Sequence, residues 1–278
     1  MNQKKCNLNY LFSTGYYDKF EHTHFDKCNN ALTGYCFEQA DEIHGDFTSL
    51  ELKTVYPGLL IGIGNPHETG TEIKGTDEDG TEIKLGFTLD YVTGLPTIPG
   101  STVKGVLRSA FNHYPTAIAN FLGIDEEDVK DVKNITFGDP EKGKCVFFDA
   151  IIVNSGKDSH ILGLDYITPH KSKKPGLDGL TNPIPLAILK VIPNVTFLFR
   201  FDLSRFESDK ISKEKLMSLF ENILTNLGIG AKTNVGYGVM KSIIGTCTVC
   251  GSETKPIKKL LDQGIKKYHE KCSSCANK

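Results

Sequence analysis

Cys247-Thr-Val-Cys250-Gly and Cys272-Ser-Ser-Cys275 form two C-x-x-C pairs separated by 21 residues. Thiolates at that spacing can converge on one tetrahedral ion, and Gly251 suits the tight turn of a zinc knuckle. Four cysteine ligands leave no open coordination position. The expected role of Cys247, Cys250, Cys272 and Cys275 is therefore structural Zn2+ binding, not catalysis. The connecting PIKKLLDQGIKKYHEK places Ile257, Leu260, Leu261 and Tyr268 on one helical stripe with lysines elsewhere. From Lys241 onward eight lysines stand against Glu253, Asp262 and Glu270, so this tail is basic in a chain of net charge −2. No basic field covers the whole protein, and any nucleic-acid binding must come from local patches and backbone amides.

A second constellation precedes the tail. GIGAKTNVGYG, residues 228–238, sets four glycines around a lysine, a threonine and a tyrosine, directly after a helical run. A Walker loop would need glycine immediately before the lysine and a helix after it; here Ala231 precedes Lys232 and the helix comes first. A dinucleotide fingerprint also fails, because Thr233 stands where the third glycine belongs. A plain helix-to-strand connection needs only one or two glycines. Gly228, Gly230, Gly236 and Gly238 together therefore imply a close backbone approach to something. Backbone amides and Lys232 could hold a sugar–phosphate chain, with hydrogen bonds from Thr233 and Asn234. Tyr237 could stack on a base, or it could belong to the core.

The third is IPGSTVKGVLRSAF. Pro99-Gly100 ends an extended segment, Ser101 can cap a helix, and Val103, Val106, Leu107, Ala110 and Phe111 fall on one face. Lys104 and Arg108, four apart, share another face near a helix start that favours anions. His170 and Lys171, with Lys173 and Lys174, make a further basic patch. No catalyst assembles from these parts. The carboxylates are dispersed, His22, His24, His44 and Cys28 form a site only on paper, and His67 in NPHETG suits RNA contact better than proton transfer.

These residues need elements to position them. ISKEKLMSLFENILTNL repeats Leu216, Leu219, Phe220, Ile223, Leu224 and Leu227 at three and four, and Gly228 can stop that helix. SLELKTVYPGLLIGIG, GFTLDYV, CVFFDAIIV and AILKVIPNVTFLFRFDL read as strands. TEIK occurs twice around an acidic turn, so 69–84 reads either as a protruding hairpin or as a plain solvated loop. Residues 161–185, rich in Pro, Gly and Lys, read as a long excursion without regular structure. The expected organisation is a polar arm over 1–45 contributing no core, a folded core over 46–244 and the four-cysteine tail over 245–278. The order of elements suggests an α+β fold of two ferredoxin-like halves with helices packed on antiparallel sheets. No run approaches a membrane span, and neither the cysteine usage nor the MNQKKCNLNY start suits an exported scaffold; a cytoplasmic protein is expected.

GIGAKTNVGYG resembles the carboxy-terminal glycine-rich loop of the RAMP superfamily, the RNA-binding proteins of CRISPR effector complexes. GLPTIPGSTVKGVLRSAF resembles that family's helix start, with Pro99, Gly100, Ser101, Lys104, Gly105 and Arg108 in register. With NPHETG, FGDPEKGKCVFFDA and LDYITPH, these stretches resemble the sixth-subunit branch of the type III-B (Cmr) effector, from about Phe47 to Ile244. The resemblance implies a non-catalytic, RRM-like RNA-binding subunit that holds the 3′ part of the CRISPR RNA and caps the filament. Its implied partners are CRISPR RNA, target RNA in the assembled complex, the backbone RAMP subunit and the other head-end RAMP subunit, with no membrane. Target cutting would fall to the backbone subunit and cyclic-oligonucleotide synthesis to the large one. An RNA-processing endoribonuclease and a backbone subunit of a related type III complex are the competing readings. The first 45 residues and the cysteine tail lie outside the family pattern and inherit no role from it.

Overall fold

The computed structural model describes residues 7–18, 25–38, 47–67, 82–138, 143–155, 159–167, 185–243, 245–246 and 253–254. Its centre is a six-stranded antiparallel sheet built from β1 (Thr48–Thr54), β2 (Thr97–Ile98), β3 (Val146–Phe147), β4 (Ala150–Asn154), β7 (Thr196–Asp202) and β8 (Met240–Ser242). Helix α4 (Gly100–His113), followed by α5 (Pro115–Leu122) and α6 (Glu126–Phe137), connects β1 to β4. Helix α7 (Lys213–Leu227) connects β7 to β8. The spatial order β4-β7-β1-β8 with those two helical crossovers is one ferredoxin-like unit. Two such halves are expected from the sequence; the described residues form one, extended by β2 and β3 and by a separate hairpin of β5 (Leu162–Ile167) and β6 (Leu186–Val191).

Period-two patterning aims β7 at the helices. Phe197, Phe199 and Phe201 are fully buried, while Leu198, Arg200 and Asp202 are only half-buried. Phe220 of α7 packs on Phe201 with ring centroids 5.3 Å apart, and Phe147 meets Phe137 of α6 at 5.5 Å. Each such aromatic pair adds about 0.5–1.5 kcal/mol beyond its buried area. The predicted apolar stripes hold: α7 buries Leu216, Leu219, Phe220, Ile223 and Leu224, and α4 buries Val103, Leu107, Ala110 and Phe111. Ser212 Oγ accepts the Lys215 amide to start α7, and Gly228 ends it at φ 71°.

Residues 7–18 overturn the expectation of a coreless arm. Leu8, Phe12 and Tyr16 are buried in the main core, joined by Phe25 and Leu32 of α3 (Phe25–Thr33). They sit on α1 (Leu8–Tyr10), a π-helical stretch over Leu11–Gly15 and α2 (Tyr16–Asp18). A spacing of four drifts off a 3.6-residue stripe, and the wider π turns bring all three back into line. His67 is the counterpart. Its ring stacks on Phe12 with a 3.9 Å centroid separation, and its nitrogens face Phe12 O at 2.8 Å and Ile83 O at 2.7 Å. It is a buried clamp on the amino-terminal helix, not the RNA contact expected from NPHETG.

Two further expectations change. GFTLDYV is not a strand: Asp90 Oδ1 accepts the Val92 and Thr93 amides and folds residues 90–94 into a turn. Part of the expected excursion is regular, because Leu162–Ile167 pairs in full register with β6. Most of the TEIK hairpin lies outside the described residues, though Ile83 of its second copy is fully buried and bridges to Ala187. No described helix is long and apolar enough to cross a membrane.

Candidate nucleic-acid interface

The glycine loop leaves α7 at the end of the sheet where β1 finishes and β8 begins, since Thr54 pairs with Met240. Its near approach is to its own chain. Gly238 N–H donates to Gly58 O at 2.8 Å, Ile229 N–H to Gly238 O at 2.9 Å and Ala231 N–H to Leu60 O at 2.9 Å. A methyl group on Gly238 would overlap Ile229 O, and one on Gly230 would overlap Leu60 O. The glycines therefore lace the loop to residues 57–60, and the amides of Ile229, Ala231, Val235, Gly236 and Gly238 already have carbonyl partners. The apex turns outward. Lys232, at φ 57°, is exposed together with Gly230, Asn234 and Val235; Thr233 is half-exposed.

Tyr237 faces inward. It is 8% exposed, packed with Leu60 and Ile188, and its phenol donates to Asp165 Oδ2 at 2.6 Å. Of the two roles open to it in the sequence, the structure gives it the core one. Lys190 Nζ donates to the same Asp165 oxygen at 2.6 Å. Burial would raise the Asp165 carboxyl, but the hydrogen bonds from Lys190, Tyr237 and the Tyr166 amide, with the Lys190 charge, hold it below the usual carboxylate range. Burial, the Asp165 bond and charge, and the nearby Tyr56 push the Tyr237 phenol upward. Asp165 and Lys190 thus lock the loop to the β5–β6 hairpin. Sequence reasoning misses both, because neither has a local signature; alternation along β5 and β6 is the only signal placing them on one face.

The start of α4 lies at the other end of the sheet. Ile98 pairs with Ala150, Val146 with Asp202, and Thr48 with Phe201. The length of β1 therefore separates this end from the glycine loop, roughly 20 Å. The sequence motifs sit at two poles and are not adjacent. Pro99 holds the N-cap position, and Gly100 N–H donates to Asp149 Oδ1 at 2.7 Å. Asp149, whose carbonyl accepts from Arg200 Nη2 at 3.1 Å, does the capping expected of Ser101; Ser101 is exposed. A Cβ on Gly100 would overlap Phe147 O, which is why glycine opens this helix.

Lys104 and Arg108 are half-exposed on α4. Burial pushes the neighbouring Cys145 thiol up to about 12, with Asp202 adding and Lys213 and Lys104 opposing. Lys104 and Lys213 therefore share this pole. A cavity of about 450 Å³ lined by Gly143, Lys144, Ser204, Arg205 and Glu207 also opens here, beyond the end of β7. Basic side chains from α4, α7 and two loops gather here beside Asp202 and Glu207, and the cations can meet phosphate. His170, Lys171, Cys247, Cys250, Cys272 and Cys275 lie outside the described residues. The strands β9 (Gly245–Thr246) and β10 (Glu253–Thr254) pair antiparallel, and in sequence they bracket Cys247 and Cys250.

An RRM-like α+β unit with a glycine loop at one pole and a basic helix start at the other defines the class. Residues 51–241 match the RAMP superfamily, and the chain belongs to that family. Within it the chain is Cmr6-like. It is 29% identical over 251 residues to "CRISPR system Cmr subunit Cmr6" of Pyrococcus furiosus, covering 80% of this chain and 72% of that protein. It is 30% identical over 157 residues to the Cmr6 subunit of Saccharolobus solfataricus, covering 56% and 48% respectively. A chain in the cryo-EM structure of the type III-B Cmr-beta complex bound to cognate target RNA shares the fold. That match has a TM-score of 0.51 and 23% identity, and it covers 79% of this chain and 63% of that one.

Proposed function

We propose that this chain is a non-catalytic RNA-binding subunit of a type III-B CRISPR (Cmr) ribonucleoprotein effector. It holds the 3′ part of the CRISPR RNA and caps the filament formed by the backbone RAMP subunit, beside the other head-end RAMP subunit, in antiviral defence in the cytoplasm. The observation that carries this reading is the glycine loop. Its backbone is stitched to residues 57–60 while Lys232 and Asn234 project from the apex, a preorganised perch for a sugar–phosphate chain. The Cmr6 relatives support membership of the effector, and the basic pole at Lys104 supplies a second phosphate anchor.

Replacing Lys104 and Arg108 with alanine should weaken guide-RNA binding uniformly across sequences. It should also flatten the log–log salt dependence by roughly one unit per lost phosphate contact. Lys232→Ala should do the same at the opposite pole. Isothermal titrations at several salt concentrations read both quantities, and an unchanged slope would remove these residues from the interface.

Among the described residues, the side chains best suited to acid–base or nucleophilic chemistry are committed to structure, which supports the binding role. The His67 nitrogens face carbonyls, the Tyr237 phenol is tied to Asp165 and the Cys145 thiol is buried. Purified protein should leave single-stranded RNA intact with or without divalent metal. Site-specific cleavage abolished by changing His22, His24 or His170 would make it a processing endoribonuclease instead.

The four cysteines hold one structural Zn2+ in a small appendage, and the pairing of β9 with β10 around the first pair suits a knuckle. Elemental analysis should find about one zinc per chain, lost in the Cys247→Ser, Cys250→Ser double variant. A metal-free protein whose tail resists proteolysis would exclude the site.

A further inference from the structure

Tyr56 is 84% exposed, although an aromatic ring gains most from leaving water. Its backbone is held on both sides. Val55 N–H donates to Val239 O at 3.3 Å, Gly58 O accepts from Gly238 at 2.8 Å, and Leu59 N–H donates to Val191 O at 2.9 Å. The turn at Tyr56-Pro57 is thus clamped between β8, the glycine loop and β6. Pro57 Cδ lies 3.5 Å from where a Cβ of Gly236 would stand, so this turn packs beside the loop apex. Val235, 68% exposed, and exposed Lys232 and Asn234 complete a small surface with one aromatic face, one apolar edge, one cation and one amide.

We propose that Tyr56 is the base-stacking platform of the glycine-loop site, receiving one unpaired base of single-stranded RNA while Lys232 takes the adjoining phosphate. The proposal rests on the RNA-binding reading and adds to it the residue that meets the base. Tyr237 is excluded from that role by its burial against Leu60 and Ile188. A ring displayed from a pinned turn loses little freedom when a base stacks on it, and stacking accepts any base because every base has a π face. Lys232 contributes through charge and Tyr56 through contact area, so the two residues separate in their response to salt. Tyr91, 89% exposed, stands on the turn folded by Asp90 and serves as a matched control.

The test titrates the full-length protein with a fluorescein-labelled single-stranded RNA and with the same RNA carrying 2-aminopurine. Tyr56→Ala should weaken binding roughly ten-fold with an unchanged salt slope and lose the 2-aminopurine quenching. Tyr56→Phe and Tyr56→Trp should retain both, and Tyr91→Ala should match wild type. If Tyr56→Ala binds and quenches like wild type while Lys232→Ala binds more weakly, the platform is overturned and the RNA-binding reading stands. If the wild-type protein itself binds no RNA, that reading fails and the platform fails with it.

Discussion

Gly238→Ala should destabilise the protein by about 2–5 kcal/mol, the sum of a left-handed backbone and a backbone clash. Gly238 adopts φ 72°, and an added methyl group would overlap the carbonyl oxygen of Ile229, which accepts no displacement without breaking the Ile229–Gly238 hydrogen bond. Gly236 offers the contrast. Its φ is 93°, but the nearest atom to an added Cβ is Pro57 Cδ at 3.5 Å, so Gly236→Ala should cost only the backbone penalty, about 1–2 kcal/mol. Urea unfolding of the two variants reads this order directly. Equal costs would mean that the loop is not laced to its own chain as described.

Asp165→Ala should be the most damaging change among the polar residues at this pole, at about 2–3 kcal/mol. It strips one oxygen of two donors at once, leaving the Lys190 ammonium, whose side chain is 15% exposed, and the Tyr237 phenol without their acceptor. Asp165→Asn keeps an acceptor and should cost less. The same residue gives a pH signature. Because the folded carboxyl lies below its ordinary value, the folded state holds fewer protons than the unfolded one near pH 4. Its stabilisation is complete above the unfolded carboxylate value, about 3.9, and is lost as pH falls through the lower folded value. In acid unfolding Asp165→Ala should therefore lose the least relative to wild type at the lowest pH. RNA affinity should fall with the loop's order, since Asp165 holds Tyr237 beneath the apex that carries Lys232.

The sequence announces the parts of this fold whose signals are local. The three-and-four repeat of α7 and its glycine stop appear where the pattern places them. So does the apolar face of α4. The amino-terminal helix was legible in principle, for Leu8, Phe12 and Tyr16 recur at four, but polar neighbours and the non-standard turn hide the stripe. What the sequence hides is pairing at a distance. Asp149 caps α4 from 49 positions away, and Asp165 reaches Tyr237 across 72. The glycine spacing signals a close backbone approach, but a sequence does not say to what; here the partner is residues 57–60. The glycine loop and the α4 start lie at opposite poles because the sheet register, which no local pattern specifies, sets the length of β1 between them.

Those poles still serve one account, in which a single copy of this chain grips RNA at the end of a larger assembly. Native mass spectrometry of the complex purified through a tag on this chain tests it most directly. The account predicts one copy of this subunit per particle, together with several copies of a backbone subunit and one guide RNA. Several copies of this chain in each particle, or particles that carry no RNA, would contradict it.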